Sequence, residues 1–371
     1  MLLRNANAFI GGHFHPGTEV RVHNGCVQEV GCGLVNGLYE DVIDLQGDYL
    51  LPGFVDVHIH AYRGRDTMEG EAAVRAMSRE LYRSGVAAFL PTTMSASIQD
   101  TRSAVEGIRR VMRHPEGRGA RVLGAHMEAP FLSERRAGAQ RKEFFLNPGR
   151  DAFEQLSVGA DAVRIITMAP EKDGSEEFIR WATAQGVTVS IGHTDATAEQ
   201  AHLAADWGAT HVTHTFNAQP ALHHRAPGVP GAALTDDRLW AELICDGVHL
   251  HPDIIRLAVR AKGAKRVVAI TDAMEAAGMP DGEYALGGQP VTVQHGEARL
   301  HDGTLAGSVL TMRRAFENLL RFGITPEDAA AMVTANPAES IGERLAGHLV
   351  AGSPAPLTRW TRDWQMVGIL D

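Results

Sequence analysis

Short apolar runs alternate with helix-like segments along most of this chain, and this alternation limits the folds it can adopt. Several helix-like segments stop at a glycine just before the next apolar run, as at Gly85 and Gly186, and a left-handed glycine commonly ends a helix. Alternating strands and helices predict a parallel sheet, and eight such units in about 290 residues match a closed (β/α)8, TIM-like barrel. The predicted strands span residues 54–60, 86–92, 121–128, 163–168, 187–193, 211–216, 241–245 and 267–271.

An open, doubly wound sheet is the alternative to a barrel. Sheets of that kind often bind nucleotides. However, no Gly-x-Gly-x-x-Gly follows the first predicted strand, and the chain contains no Walker motif. The sequence gives nucleotide binding no support, and the closed barrel is the favoured α/β architecture.

Both ends of the chain read as β structure. Residues 1–50 alternate short apolar runs with turns, and Asn24-Gly25 between two such runs indicates a hairpin. Few strands are available there, so we expect the C-terminal segment to complete the sheet. The predicted organisation is a small β-sandwich domain built from residues 1–50 and 346–371, which flanks a barrel at 51–345 that carries a β-hairpin insertion at about 281–303.

Charge and cysteine content exclude several classes of protein. The formal net charge of -10 argues against a nucleic-acid-binding protein, which normally carries a basic stripe. Cys26, Cys32 and Cys245 are too few and too scattered for a disulfide framework, which fits a cytoplasmic protein. No N-terminal apolar stretch is long enough for a signal peptide or a membrane span, so we expect no membrane association.

The first predicted strand ends in two histidines, His58 and His60. Residues two apart on a strand point to the same face, so both imidazoles face one side, and imidazole is a common metal ligand. The pair is weak evidence by itself, because a chain with 18 histidines produces such spacings by accident. Two polar residues on a strand edge are the alternative interpretation.

Other predicted strands also end in residues that can bind a metal. These residues are Glu128, His193, His214 and Asp272, and the carboxyl ends of all strands in a parallel barrel meet at one mouth. Each has an ordinary alternative, such as a core histidine, a helix-starting acid or a helix cap. Six such residues at the same end of the strands nevertheless favour a single site.

The types of ligand indicate the chemistry. Four histidines and a glutamate suit a divalent ion such as zinc, iron or cobalt better than magnesium or calcium. Such an ion polarises carbonyl groups and lowers the pKa of a water ligand from 15.7 to about 7. Asp272 would take a proton from that water and return it to a leaving amine, which predicts metal-assisted hydrolysis. His126 either supports the ligands or packs in the barrel interior.

These residues lie in stretches that resemble the amidohydrolase superfamily and, within it, the N-acetylglucosamine-6-phosphate deacetylase family. The resemblance extends over nearly the full length of the chain. The opening strand motif is shared across the superfamily, and the later motifs are more particular to the deacetylases. The matching stretches are residues 52–60, 124–131, 192–194, 213–218, 246–249, 271–274, 304–308 and 336–338.

The resemblance implies an activity and a site. The implied reaction is deacetylation of N-acetylglucosamine 6-phosphate by a homodimer that binds one or two divalent ions, with zinc favoured and iron, cobalt or manganese as alternatives. Glu128, His193 and His214 are the implied core ligands, His58 and His60 add a second site, and Asp272 is the implied acid and base. The implied substrate contacts are Ala139, Asn217, Ala218, Arg225, His249, Leu305, Ala306 and Gly307.

Arg225 and His249 make physical sense as contacts of the phosphate group, because a guanidinium binds phosphate oxygens bidentately. A solvated loop arginine is the alternative for Arg225. The chain departs from the usual family pattern at Ala61, Ala129 and Pro356, which leaves the exact amino sugar open. The other functions considered are hydrolysis of N-acetylgalactosamine 6-phosphate, of an N-acyl amino acid or dipeptide or of a cyclic amide, and a non-catalytic scaffold.

Overall fold

A ring of parallel strands forms the centre of the structure, which is a computed structural model that describes residues 1–371. The strands are β1 (Leu2–Ile10), β2 (His13–His23), β3 (Cys26–Gly31), β4 (Val42–Asp44), β5 (Tyr49–Leu51), β6 (Phe54–Ile59), β7 (Val86–Thr93), β8 (Arg121–Val122), β9 (Ala125–Met127), β10 (Val163–Met168), β11 (Thr188–Ile191), β12 (His211–Val212), β13 (Trp240–Ile244), β14 (Val267–Ile270), β15 (Gly282–Leu286), β16 (Gln289–Gln294), β17 (Glu297–Arg299), β18 (Leu357–Trp360) and β19 (Met366–Leu370). The helices are α1 (Glu71–Arg83), α2 (Ile98–Arg113), α3 (Arg150–Ser157), α4 (Ser175–Ala184), α5 (Ala198–Trp207), α6 (Gly228–Thr235), α7 (Pro252–Lys262), α8 (Met312–Arg321), α9 (Pro326–Val333) and α10 (Ala335–Ser340).

The central strands follow one another around the ring in the order β6, β7, β9, β10, β11, β12, β13 and β14, with β8 as a short extra partner of β7. Beyond the last strand the chain returns to the first. The backbone N–H of Asp272 donates to the carbonyl of His58 at 2.8 Å, and that of His60 donates to the carbonyl of Ala273 at 3.0 Å. These hydrogen bonds close the barrel, which rules out the open sheet.

Three of the predicted strands are clearly shorter than expected. The run at 187–193 keeps only β11 (Thr188–Ile191), and the other two change further. The run at 121–128 is divided into β8 and β9 near Gly124, whose φ of 138° is a conformation that other residues rarely adopt. The run at 211–216 keeps only two residues as strand, and the chain then turns through His214 and Phe216 with positive φ values of 30° and 81°. The break near Gly124 interrupts the strand before β9, and the turn after β12 occurs where the chain leaves the barrel at the mouth.

The two ends of the chain form one sheet beside the barrel. Its strand order is β19-β18-β5-β1-β2-β3, with β4 paired to β1. The predicted hairpin is confirmed, since Asn24 and Gly25 connect β2 to β3 with φ values of 50° and 71°, as a type I′ turn requires. The closed barrel and this β domain from both termini confirm the predicted fold class.

Aromatic packing joins the β domain to the barrel. The Trp360 ring in β18 is fully buried, with ring centroids 4.9 Å from Phe316 and 6.4 Å from Phe54. At the same boundary, a Cβ on Gly53 would lie 2.5 Å from both Ala87 Cβ and the carbonyl oxygen of Pro356. Only glycine fits there, because a methyl group at this position would overlap Ala87 of the barrel and Pro356 of the β domain.

The segment at 281–303 forms a three-stranded antiparallel sheet of β15, β16 and β17, one strand more than the predicted hairpin. Its apolar face packs against Met94 and Met274 from the barrel mouth in a separate small core. None of the ten helices combines the length and the apolar composition that crossing a bilayer requires.

Candidate metal centre and active site

Six side chains that end barrel strands meet at the mouth of the barrel, as the sequence predicts. They form two neighbouring groups, and within each group the potential ligand atoms lie within 4.8 Å of one another. All six residues are buried. The first group consists of His58, His60 and Asp272, and the second consists of Glu128, His193 and His214.

Three of these residues sit in backbone conformations that are unusual for residues other than glycine. The φ values are 46° for His193, 30° for His214 and 48° for Asp272. Such conformations cost about 1–3 kcal/mol each and persist where the surrounding structure enforces them. Each residue lies just beyond a strand end, and its side chain joins the cluster at the mouth.

In the first group, the Nε2 atom of His60 lies 3.2 Å from Asp272 Oδ1 and 3.4 Å from His58 Nε2. His58 Nε2 lies 3.5 Å from the same Asp272 oxygen. Two imidazoles and one carboxylate therefore direct their free atoms at a common point.

In the second group, Glu128 Oε1 lies 3.3 Å from His193 Nε2 and 3.1 Å from His214 Nε2. The two histidine Nε2 atoms are 3.1 Å apart. Glu128 also reaches the first group, with 3.3 Å from Oε1 to His58 Nε2 and 3.2 Å from Oε2 to His60 Nε2. Its carboxylate lies between the two groups and is positioned to serve both.

The protonation states show whether these atoms suit a cation. The Nδ1 atoms of His60 and His193 face the carbonyl oxygens of Thr92 and Arg136 at 3.2 Å and 2.8 Å. Carbonyl oxygens only accept hydrogen bonds, so each neutral ring carries its hydrogen on Nδ1 and a lone pair on Nε2. Lone pairs of nitrogen then face the oxygens of Glu128 with no hydrogen between them. A divalent ion bound by nitrogen and oxygen fits this donor set.

The pKa values of His60 and Asp272 indicate that positive charge is stabilised at this site. Burial opposes the charged form of His60, but the carboxylates of Glu128 and Asp272 outweigh it and raise the pKa of His60 to about 9. Burial also favours the neutral form of Asp272, yet the positive charges that His58 and His60 carry when they are protonated lower the pKa of Asp272 to about 2. The site therefore favours ionised carboxylates beside a positive charge.

Two further side chains support the groups, and we did not predict either from the sequence. Glu242, on β13, places Oε2 3.3 Å from His58 Nδ1 and is completely buried. Gln140 donates from Nε2 to Glu128 Oε2 at 2.5 Å. Glu242 had a signal in the sequence, because it is the one charged residue in an otherwise apolar strand, whereas Gln140 lies in a loop without a pattern.

His126 lies in the barrel interior, below the two groups. Its ring is fully buried, and its nitrogens pair with the carbonyl of Val57 at 3.0 Å and with Thr167 Oγ1 at 2.8 Å. The ring centroid lies 4.5 Å from that of His58. His126 thus packs against one of the clustered rings and has no free nitrogen to offer to an ion.

A cavity of about 230 Å³ opens above the two groups. Five of the six clustered residues contribute to its floor, and six of the eight predicted substrate contacts line it. These six contacts are Ala139, Asn217, Ala218, His249, Leu305 and Gly307.

The other two predicted contacts lie outside the cavity wall. Ala306 is fully buried in the small core under the inserted sheet. Arg225 is exposed, and its Nη1 lies 2.8 Å from the Nε2 atom of the adjacent His224.

His249 is the cavity residue best suited to an anion. Its Nδ1 atom lies 2.6 Å from Asp246 Oδ2. Burial disfavours the charged ring, but the hydrogen bond and the negative charge of Asp246 outweigh burial, so the pKa of His249 is raised above its usual 6.5. At a given pH, the protonated and positively charged ring is therefore favoured more at the cavity than in a free histidine.

Comparison with known proteins agrees with this geometry. The family model described as "Amidohydrolase family" matches residues 49–367. The N-acetylglucosamine-6-phosphate deacetylase of Bacillus subtilis (strain 168) is 37% identical over 356 residues, which cover 94% of this chain and 90% of that protein. The N-acetylgalactosamine-6-phosphate deacetylase of Escherichia coli O157:H7 is 37% identical over 318 residues, which cover 85% of this chain and 84% of that protein.

Among solved structures, the fold is similar to that of a mutant N-acetyl-D-glucosamine-6-phosphate deacetylase from Mycobacterium smegmatis in complex with N-acetyl-D-glucosamine-6-phosphate. The TM-score is 0.90 at 31% identity, and the match covers 100% of this chain and 97% of that chain. The resemblance that the sequence motifs indicate is thus confirmed by the family model, by both relatives and by a solved structure. The chain belongs to the amidohydrolase family, in the group that contains these deacetylases.

Proposed function

We propose that this protein is a metal-dependent deacetylase that hydrolyses N-acetylglucosamine 6-phosphate to glucosamine 6-phosphate and acetate. The observation that carries the proposal is the convergence of four histidines and two carboxylates beneath a cavity of about 230 Å³. That arrangement supplies ligands for an ion, a proton carrier and room for a small substrate in one place. The relatives named above act on phosphorylated N-acetyl amino sugars according to their names.

Five residues would hold the ions. Glu128, His193 and His214 form the core set of ligands. His58 and His60 form a second set beside it. When bound, a divalent ion supplies Lewis-acid polarisation of a carbonyl group and makes water more acidic. The donor set suits zinc, with iron, cobalt or manganese as alternatives.

Asp272 would move the proton. It lines the cavity, and its lowered pKa keeps it ionised at neutral pH. Its carboxylate takes a proton from the water that attacks the acetyl carbonyl carbon. It then gives that proton to the amide nitrogen as the C–N bond breaks, so acetate and a free amine leave.

The remaining cavity residues would bind the sugar and its phosphate group. Asn217 offers amide groups for sugar hydroxyls, with Ala139, Ala218 and the loop of Leu305, Ala306 and Gly307 as the surrounding wall. His249 offers a protonated ring to the phosphate group. Arg225 is proposed as a further phosphate contact, and since its side chain is exposed outside the cavity, that contact requires its loop to approach the sugar.

N-acetylgalactosamine 6-phosphate is the second candidate substrate. One relative named for the galacto sugar and one named for the gluco sugar share the same 37% identity with this chain. The homodimer remains a prediction from the family resemblance, and the cytoplasmic location remains a prediction from the cysteine content.

Acetate release from four sugars tests the proposed function. The panel consists of the gluco and galacto N-acetyl sugars, each with and without the 6-phosphate. We expect the phosphorylated gluco sugar to react with the highest kcat/KM. Equal rates with and without phosphate would contradict a phosphate site, and the absence of acetate from all four would contradict deacetylation.

A further inference from the structure

Glu242 is a buried acid that the proposed reaction leaves unused. It lies at the centre of β13, where every residue is buried, and its own exposure is 0%. No lysine or arginine forms a salt bridge with it. Oε2 accepts from the backbone N–H of His214 at 3.3 Å and lies 3.3 Å from His58 Nδ1, while Oε1 has no hydrogen-bond partner. His58 is the one neighbour that can give it a positive partner, and only when its ring is protonated. A buried carboxylate without a permanent positive partner is costly, so the position needs an explanation.

The hydrogen bond between Glu242 and His58 can form in one direction only, with the histidine as donor. A carboxylate only accepts hydrogen bonds, so the neutral His58 ring carries its hydrogen on Nδ1 and donates it to Glu242. The lone pair is then on Nε2, which faces Asp272 and Glu128 in the centre of the mouth. Glu242 thereby selects the tautomer of His58 that can bind an ion.

The other three histidines of the two groups lack such a partner. His60 and His193 are oriented by the carbonyl oxygens of Thr92 and Arg136, and His214 Nδ1 has no partner at all. His58 alone among the four is oriented by a charged side chain. A carboxylate behind an imidazole fixes its orientation and raises its basicity as a ligand.

We propose that Glu242 is a positioning residue that holds His58 with Nε2 toward a bound ion and strengthens the binding of that ion through its negative charge. The positive charge of the ion in turn compensates the buried carboxylate. This inference rests on the proposed function, because it requires that the mouth binds a divalent ion.

Metal binding by the wild type and by two variants tests the inference. Each protein is stripped with a chelator and titrated with Zn²⁺ at buffered free concentrations, and the ions bound per chain are counted. Glu242→Gln removes the charge at constant size, and Glu242→Met also removes the acceptor. Cys245→Ala is the matched control, because Cys245 is buried just beyond the same strand and the hydrogen bond of its thiol goes to the carbonyl of Leu243, away from the clustered ligands.

We expect Zn²⁺ affinity at the group of His58 to fall about 10–100-fold in Glu242→Gln and at least as far in Glu242→Met. The Cys245→Ala variant should bind like the wild type. We also expect the urea midpoint of the metal-free Glu242→Gln protein to be unchanged or higher than that of the wild type, because a buried charge has been removed.

Unchanged Zn²⁺ affinity in both Glu242 variants would overturn the inference. A metal-free Glu242→Gln protein that is less stable than the wild type but binds Zn²⁺ with the same affinity would also overturn it, because that result would indicate a structural role only. A wild type that binds no Zn²⁺ would instead overturn the proposed function, so the two failures are distinguishable.

Discussion

Asp272 Oδ1 lies 3.2 Å from Nε2 of His60, although the two residues follow the last and the first strand of the barrel. Their contact depends on closure of the ring, which the hydrogen bond from the backbone N–H of Asp272 to the carbonyl of His58 completes at 2.8 Å. The proposed proton carrier and one proposed metal ligand are thus neighbours only because the sheet is closed. An open sheet with the same strands would separate them.

Replacing Asp272 by asparagine tests its role as proton carrier. Asparagine has the same size but cannot take up a proton, so we expect kcat to fall by about 10²–10⁴-fold. The ion at Glu128, His193 and His214 should remain, since Asp272 is outside that group. The measurements are acetate release and metal content, with Asp237→Asn as the control, because Asp237 is exposed just before β13 at the opposite end of the barrel. A fully active Asp272→Asn protein would show that another group carries the proton.

The raised pKa of His249 predicts a pH dependence of substrate binding. The ring is positively charged below its pKa and neutral above it, so KM for the phosphorylated sugar should rise as pH increases through that raised value. Asp246→Asn removes the negative charge that raises the pKa of His249, so the rise in KM should begin at a lower pH. The check is KM against pH for both proteins, and identical profiles would exclude the pair from phosphate binding.

Gly53 is expected to be intolerant of any side chain. An added Cβ would meet Ala87 Cβ and the carbonyl oxygen of Pro356 at 2.5 Å, and overpacking of this kind costs about 1–3 kcal/mol. Gly53→Ala should therefore lower the free energy of unfolding by that amount in a urea titration. Gly117→Ala is the matched control, because a Cβ there meets nothing within 4 Å. Equal stability of the two variants would mean that the boundary between barrel and β domain is looser than described.

The sequence predicted those parts of the molecule that follow from periodic patterns. Strands that end in His60, His193 and Asp272 converge because all barrel strands run in the same direction, and that direction is readable from the alternation of strands and helices. The roles of the converging residues as ligands and proton carrier remain predictions.

Features that depend on tertiary packing could not be predicted from the sequence. The position of Ala306 behind the cavity wall depends on how the inserted sheet packs on Met274, and the exposure of Arg225 depends on the path of a loop without a pattern. Gln140 reaches Glu128 only because its loop folds back over the mouth. Glu242 is different, since a single acid inside an apolar strand is a signal that the sequence itself contains.

Restoration of acetate release by added ion tests the central claim most directly. Protein stripped with a chelator is assayed with N-acetylglucosamine 6-phosphate before and after addition of Zn²⁺, beside a His214→Asn variant that lacks one proposed ligand. The account predicts no release without the ion, recovery in the wild type and no comparable recovery in the variant. Full activity of the stripped protein, or equal recovery in His214→Asn, would contradict it.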